Sequence, residues 1–416
     1  MGRIRLSLFL LAGLMALLSG CGERQTGANR PGLIILGDRM TVYSGAPLSG
    51  YLQDQGEALV NGERLALRDS HGMAGEWTIA LGSLNSVQGS MNLPSEGQVA
   101  SNARIAIQDA TAVAYIGDYG SDSTQISLPL TNQGGILQVS TESGYSGLTS
   151  SRYAQPGEPE RFYPSGRRTF ARLAPNDQRE ASAQARLQRS RGCGETFAIV
   201  APGSVGNSIR LELAAALATE KVGSGGTAVY DGSPAALREA SSRAKASGAD
   251  CVYYGAAGDA TGAALLNRLI AADRSVKLFA GRASSTLQMT ENLSASAQDA
   301  LLVTTPAPSS SDLTAFGKSV ARRYRAVFGS EPGVSGLYGY EAMAAVLDSI
   351  RRAGVNGNNR DSVIASFRAI RNRSSVLGRY SITSSGDSTL SAFTVSQVRG
   401  GRLVASSSLT AAANGK

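Results

Sequence analysis

A single histidine, His71, stands in 416 residues, and its isolation removes most of the usual ways of building an active site. No His/Cys metal cluster can be assembled around it, and no histidine-based triad. There is no nucleophile elbow and no paired-carboxylate motif, so a hydrolase has nothing to work with. Asp118 and Asp122 are close in sequence but flank one loop, and read as loop and helix-terminus residues. The basic excess, a formal charge of +8, is scattered along the chain. No Lys/Arg block and no basic stripe interleaved with aromatics occurs, which argues against nucleic acid as a partner and leaves only a weak pull toward anionic lipid. No internal repeat is visible, and no metal or cofactor is implied.

What is present is the composition of a folded soluble protein: 42% hydrophobic, 17% charged, with 49 glycines suited to a fold of many tight turns. The length allows two domains, each with its own core. At the amino terminus Arg3 and Arg5 precede an apolar run from Leu6 to Leu18, too short to span a bilayer comfortably, followed by Ser19-Gly20-Cys21. That ending resembles the lipobox of bacterial lipoproteins, in which the cysteine is diacylated and becomes the mature amino terminus. The resemblance implies a signal peptide over 1–20, Cys21 as the lipidation site and a bilayer anchor of more than one acyl chain. Residues 21–31 then form a tether. Two cysteines remain, Cys193 and Cys251. Each lies at or just before a strand start, so they are a candidate disulfide if those strands are neighbours, and two buried thiols if not.

The chain then alternates strand, loop and helix. Val113 to Ile116 is an apolar run rich in β-formers that reads as a buried strand. It breaks at Gly117 into a loop holding Tyr119, Gly120, Ser121 and Asp122, and Ser123 is a candidate N-cap for the helix beyond. A strand feeding a small-residue loop and a helix start leaves backbone N–H groups unpaired, a cradle for a carboxylate or another acceptor-rich group, with the Ser121 hydroxyl as a further donor. The simpler alternative is a turn that binds nothing. The next strand, Ile136 to Val139, opens into a second loop, Ser140 to Tyr145. Strand signals also fall at Leu33–Leu36, Met40–Tyr43, Trp77–Leu81, Phe197–Val200, Cys251–Gly255 and Lys277–Gly281, ending at Arg282. Helices follow most of them, the pattern of parallel sheets covered by helices. Ser233-Pro234 opens one helix and Gly248 closes it.

The segments SGAPLSG (44–50), AYIGDYGSDSTQISLPLTNQGGILQVS (114–140), RTFARLAPND (168–177), ADCVYYGA (249–256) and GLYGYEAMAAVLDSI (336–350) resemble the type I periplasmic binding proteins. More narrowly, they resemble the leucine/isoleucine/valine-type substrate-binding lipoproteins of ABC transporters, over about residues 32–405. The resemblance implies an α/β fold of two Rossmann-like lobes with parallel sheets, joined by three hinge crossings, and a ligand held between the lobes. The expected division is 32–174 with 308–375 in one lobe and 175–307 with 376–412 in the other, the crossings lying near Leu173–Asp177, Thr304–Pro308 and Ser374–Gly378. Ser121 matches the serine that holds the ligand carboxylate.

Other positions depart from the family's amino-acid clamp. Its threonine falls at Gly144, its capping aromatic at Val205, a further tyrosine at Ala256-Ala257-Gly258, and its ammonium-binding acid at Ala283, beside Arg282. Branched-chain specificity therefore does not follow. The candidate ligand-binding set is Tyr119, Ser121, Asp122 and Ser123 of the first loop, Glu142, Ser143, Gly144 and Tyr145 of the second, and Val205 and Arg282 from the other half. Glu142 and Arg282 follow strand ends and are expected at the rim of one cleft, paired with each other or dividing the ends of a zwitterion. Tyr119 and Tyr145 offer stacking faces, or pack between loop and helix. The expected function is a monomeric, lipid-anchored extracytoplasmic solute-binding protein, not an enzyme, whose partners are a small polar ligand, an ABC permease and the bilayer. A receptor of the same fold signalling to a sensor partner is the alternative.

Overall fold

The computed structural model describes residues 33–411. The expected signal peptide, the Cys21 lipidation site and the tether lie outside the described residues. In chain order the elements are β1 (Arg39–Ala46), α1 (Gln53–Asp69), β2 (Met73–Ala74), β3 (Trp77–Asn85), α2 (Glu96–Gln108), β4 (Ala112–Ile116), α3 (Ser121–Gln133), β5 (Leu137–Ser140) and β6 (Phe170–Arg172). There follow α4 (Asp177–Ser190), β7 (Glu195–Val200), α5 (Gly203–Thr219), β8 (Gly223–Val229), α6 (Pro234–Ser247), β9 (Cys251–Gly255), α7 (Ala260–Ala272), β10 (Lys277–Ala280), α8 (Leu287–Thr290), α9 (Ala295–Ala300) and β11 (Leu301–Thr305). The chain closes with α10 (Ala315–Phe328), α11 (Gly333–Ala353), α12 (Arg360–Arg368), the short strands β12 (Arg373–Ser375) and β13 (Gly378–Tyr380), and the hairpin β14 (Ala392–Arg399) and β15 (Arg402–Thr410).

The strands form two main sheets, β2-β3-β1-β4-β5-β6 and β15-β14-β11-β10-β9-β7-β8. Pairing is parallel from β3 through β6 and from β8 through β11, with antiparallel strands only at the edges. This is an α/β fold in two lobes. Every residue of β4, β5, β6 and β9 is buried, as strands covered by helices on both faces must be. In each sheet the strand order reverses beside the strand that comes first in sequence, between β1 and β4 and between β7 and β9. The crevice at the carboxyl ends of the strands opens at such reversals.

Local chemistry sets many boundaries. Ser95 accepts a hydrogen bond from the Gln98 amide at the start of α2. Ser233 caps α6, Pro234 is its first residue, and Gly248 ends it in the left-handed conformation (φ 70°), which glycine adopts at little steric cost. Gly400 and Gly401, both at positive φ, turn the β14–β15 hairpin.

The structure departs from expectation in three places. Leu33–Leu36 makes one isolated bridge, Ile34 with Asn359, because no neighbouring strand runs beside it. The edge strand β8 begins Gly223-Ser224-Gly225-Gly226, a composition without a β signal, and forms by pairing to β7 alone. The third crossing is later than Ser374–Gly378. Val376, Leu377, Tyr380, Ile382 and Leu390 pack into the core of the first lobe, and Asp387 bridges Arg172 at the end of β6. The chain joins the second sheet only at β14, since these apolar side chains belong beneath α10–α12.

β7 and β9 are neighbours with Thr196 opposite Cys251, which brings Cys193 within reach. The two cysteines are joined as a disulfide, both buried.

Candidate functional site

The first-lobe side of the cleft is built by the loops after β4 and β5. Gly120, at φ 87°, caps α3 without a side-chain hydrogen bond, so the helix starts at Ser121 and not behind Ser123. Ser123 lies buried in the first turn. The Ser121 hydroxyl oxygen accepts from the Gly144 amide at 3.2 Å and the Tyr145 amide at 3.1 Å, which ties the two loops together and leaves its proton free to donate. Ser143 continues the tie, donating to the Gly120 carbonyl at 3.0 Å and meeting the Thr124 hydroxyl at 2.5 Å. Asp122 is exposed and accepts from Gln125 of its own helix, away from this corner.

The two tyrosines differ. Tyr119 is half-buried against the cluster of Ala46, Leu59 and Val60; burial and the neighbouring Glu142 carboxylate push its phenol up. Tyr145 is fully buried among Leu128, Leu148, Phe162, Tyr163 and Phe170 with its phenol bonded to Glu158. It packs between loop and core, its ring covered by this cluster, and so leaves no open stacking face. Val205, in the first turn of α5, packs against this same first-lobe cluster, and Ser204 beside it donates to Gln125 at 3.1 Å. The second lobe therefore closes on the first at this point.

Arg282 follows β10 on the second-lobe side. Its backbone N–H donates to Glu180 Oε1 at 2.8 Å, its Nε to Glu180 Oε2 at 2.6 Å, and its Nη2 to the Pro175 carbonyl at 2.6 Å. Asp177 lies 3.6 Å from Nη2. Burial alone would lower the guanidinium's pKa; Glu180 and Asp177 more than offset it. Nη1 has no hydrogen-bond partner among the described residues.

Glu142, half-buried on the opposite lobe, accepts from Ser335 of α11 at 3.1 Å. Burial pushes its carboxyl up to about 7, against the pull of Arg282 and the Ser335 hydrogen bond. Among the described residues Arg282 forms its ion pairs with Glu180 and Asp177 and none with Glu142. The direct pairing of Glu142 with Arg282 expected as one alternative is not made, since α4 supplies nearer carboxylates.

Gly144 explains the missing threonine. A Cβ there would sit 1.8 Å from Asp177 Oδ1 and 3.0 Å from Arg282 Cζ, so only glycine lets the Asp177–Arg282 pair lie against the first-lobe loop. The Asp177 amide donates to the Gly144 carbonyl at 2.8 Å, closing the contact. Sequence reasoning missed Asp177 and Glu180 because acids in the first turn behind an Asn176 cap are ordinary at a helix start. Tyr253, whose ring stands beside Asp177, Glu180 and Arg282, carries no local signal, since it reads as one more apolar residue of the strand β9. A sharper signal was Glu212, the one charge in the apolar run Leu211 to Leu217.

Among the described residues no helix is long and apolar enough to cross a membrane. A family model described as periplasmic binding protein matches residues 46–402. Solved structures of similar fold include a leucine binding protein from Thermotoga maritima (18% identity, TM-score 0.74, covering 89% of this chain and 99% of that one). A branched-chain amino acid transporter substrate binding protein from Streptococcus pneumoniae, in complex with isoleucine, is 13% identical with a TM-score of 0.71, covering 89% and 99%. A solute binding protein of an ABC transporter from R. palustris, in complex with benzoate, is 17% identical with a TM-score of 0.69, covering 90% and 98%. No curated protein matches the chain.

Proposed function

The chain belongs to the periplasmic binding protein family, an extracytoplasmic family of solute-binding proteins and not of enzymes, and from that premise we propose that it captures a small polar ligand between its lobes for an ABC permease. The ligand is an amino acid or a related amide or carboxylate, and the protein works as a monomer anchored to the membrane through acylated Cys21. The observation that carries the reading is the facing of Glu142 and Arg282 from opposite lobes without an ion pair between them. Arg282 Nη1 is a free donor, Glu142 an acceptor held by one hydroxyl, and the Ser121 proton a second donor nearby. A small molecule with an acceptor at one end and a donor at the other satisfies all of them, and its hydrogen bonds would bind the lobes to each other.

The ligands named for these neighbours, leucine, isoleucine and benzoate, each carry a carboxylate, which supports an acceptor end. The glycine at 144 and valine at 205, where the family clamp has a threonine and an aromatic, support a ligand of different shape. A thermal-shift screen over amino acids, amides, small carboxylates and aromatic acids tests the function. A true ligand at 100 times its Kd raises unfolding stability by about 2.7 kcal/mol, with a shift that grows with concentration. A screen in which no compound shifts the midpoint contradicts it.

A further inference from the structure

Ahead of β1, Leu33, Ile34 and Leu36 are exposed, Leu36 by 88%, while Ile35 between them is buried in the core of the first lobe. In an extended segment successive side chains point to opposite sides, so seating Ile35 inward turns its neighbours to the solvent. Hydrogen bonds to the chain before α12 hold the segment in place. The Ile35 N–H donates to the Asn358 carbonyl at 2.8 Å, the Asn358 side-chain amide to the Ile35 carbonyl at 2.9 Å, and the Arg360 N–H to the Leu33 carbonyl at 3.1 Å. Ile34 and Asn359 form an antiparallel bridge, so the chain runs on from Leu36 toward the turn Gly354–Asn356, whose Val355 is 82% exposed. Single exposed aliphatic residues are ordinary; several gathered on one ordered piece of backbone mark a contact surface.

The patch sits at the amino ends of the first-lobe strands. β1 starts at Arg39, and Arg360 Nε donates at 2.8 Å to the carbonyl of Ala112, the first residue of β4. The crevice opens at the opposite, carboxyl ends, so a surface covering the patch leaves ligand entry clear. Beside Val355 the last turn of α11 carries Arg351 and Arg352, both substantially exposed. They share the Asp348 carboxylate, at 3.5 and 3.2 Å, with Arg373 at 2.8 Å, and Arg373 also meets Glu341 at 2.6 Å. Three guanidinium groups against two carboxylates leave positive charge at the border of the patch.

We propose that this patch rests on the bilayer, the aliphatic side chains of Leu33, Ile34, Leu36 and Val355 entering the interface between headgroups and acyl chains, with Arg351 and Arg352 at the level of the lipid phosphates. The inference rests on the reading of Cys21 as an acylated anchor and goes beyond it: the anchor keeps the protein at the membrane, and the patch decides which end of the protein faces it. Cys21 lies twelve positions before Leu33, a length of chain that spans at most about 40 Å when fully extended. The chain from the anchor therefore arrives at the patch itself. Lipid is held within reach of it by a covalent link, at an effective concentration that lets a small apolar surface bind, whereas a second copy or a soluble partner has to be met by diffusion. Aliphatic side chains bordered by arginines are the composition of an interfacial membrane contact.

The test uses the mature, acylated protein in vesicles of phosphatidylcholine and phosphatidylglycerol, with a nitroxide on one introduced cysteine at a time. The positions are Leu36→Cys and Val355→Cys in the patch, and Ser224→Cys, exposed on the edge strand β8 of the other lobe, as reference. Collisions with oxygen, which concentrates in the bilayer, are compared with collisions with a water-soluble nickel chelate. Oxygen dominates at 36 and 355 and nickel at 224. Adding Leu36→Asp returns the label at 355 to nickel, with the unfolding midpoint unchanged because Leu36 packs against nothing in the core. Equal access of nickel to all three positions overturns the inference and leaves the anchor and the capture of solute standing. Shielding that fades as the protein is diluted in lipid marks a contact between copies and overturns it too. The mass of the mature protein is the separate check on the anchor: a Cys21 without acyl chains removes the anchor and this inference together, and leaves solute binding to be decided by the ligand screen.

Discussion

Glu63 shows how a single residue makes stability depend on pH. It is fully buried behind Ser44, whose hydroxyl donates to its Oε1 at 2.9 Å, while its Oε2 has no partner among the described residues. Burial pushes its carboxyl from 4.5 up to about 8. The folded state thus holds the proton longer than the unfolded one, and its contribution is fully present below pH 4.5 and lost as pH rises toward 8. Glu63→Gln, which keeps an acceptor for Ser44, is expected to raise the unfolding midpoint at pH 9 and leave it unchanged at pH 4; an equal effect at both values contradicts the assignment. Gly144 marks where residue-level reading of the sequence stops. The absence of the family's threonine was plain, but its cause, the carboxylate of Asp177, comes from a separate element that only the fold brings into contact. Tyr145 was ambiguous for a related reason: a loop residue can face the crevice or the core, and no local pattern distinguishes the two.

At the scale of elements, the helices were the most legible. Ser233-Pro234 and Gly248 sit where capping chemistry puts them, because a cap is read from a few adjacent residues. The strand β8 and the third crossing were not legible. A glycine-rich edge strand is specified by its neighbour, and the segment 376–390 by a core assembled from distant parts of the chain. The packing of α1 on α11 is specified by glycines: a Cβ on Gly339 would lie 2.0 Å from the Leu59 carbonyl oxygen, and one on Gly62 would lie 2.0 Å from that of Gly336. Both contacts are with backbone, so the helices must separate to admit a side chain. Gly339→Val is expected to destabilise the protein by about 3 kcal/mol in urea unfolding, and a cost below about 0.5 kcal/mol would show that α11 shifts freely.

At the scale of the whole molecule, the alternation of strands and helices was enough to foresee parallel sheets, and the family resemblance supplied the two lobes; the loops after β4 and β7 fall where the strand order reverses. The candidate residues separate into those at the contact between the loops and those away from it. Ser121 is tied to Gly144, Asp177 lies between Gly144 and Arg282, and Glu180 pairs with Arg282, while Asp122 is exposed and Tyr145 is buried in its cluster. The lobes touch through Val205 and Ser204 as well as through Gly144, so ligand contacts on both sides would be made within a closed crevice. The central claim is that one small molecule binds there between Glu142 and Arg282. Isothermal titration calorimetry with the compound that gives the largest thermal shift tests it on the wild type, Glu142→Gln and Arg282→Ala. One site per chain, weakened about tenfold or more in each variant, is the expected result. Unchanged affinity in both variants, with the protein folded, would place the ligand elsewhere and contradict the account.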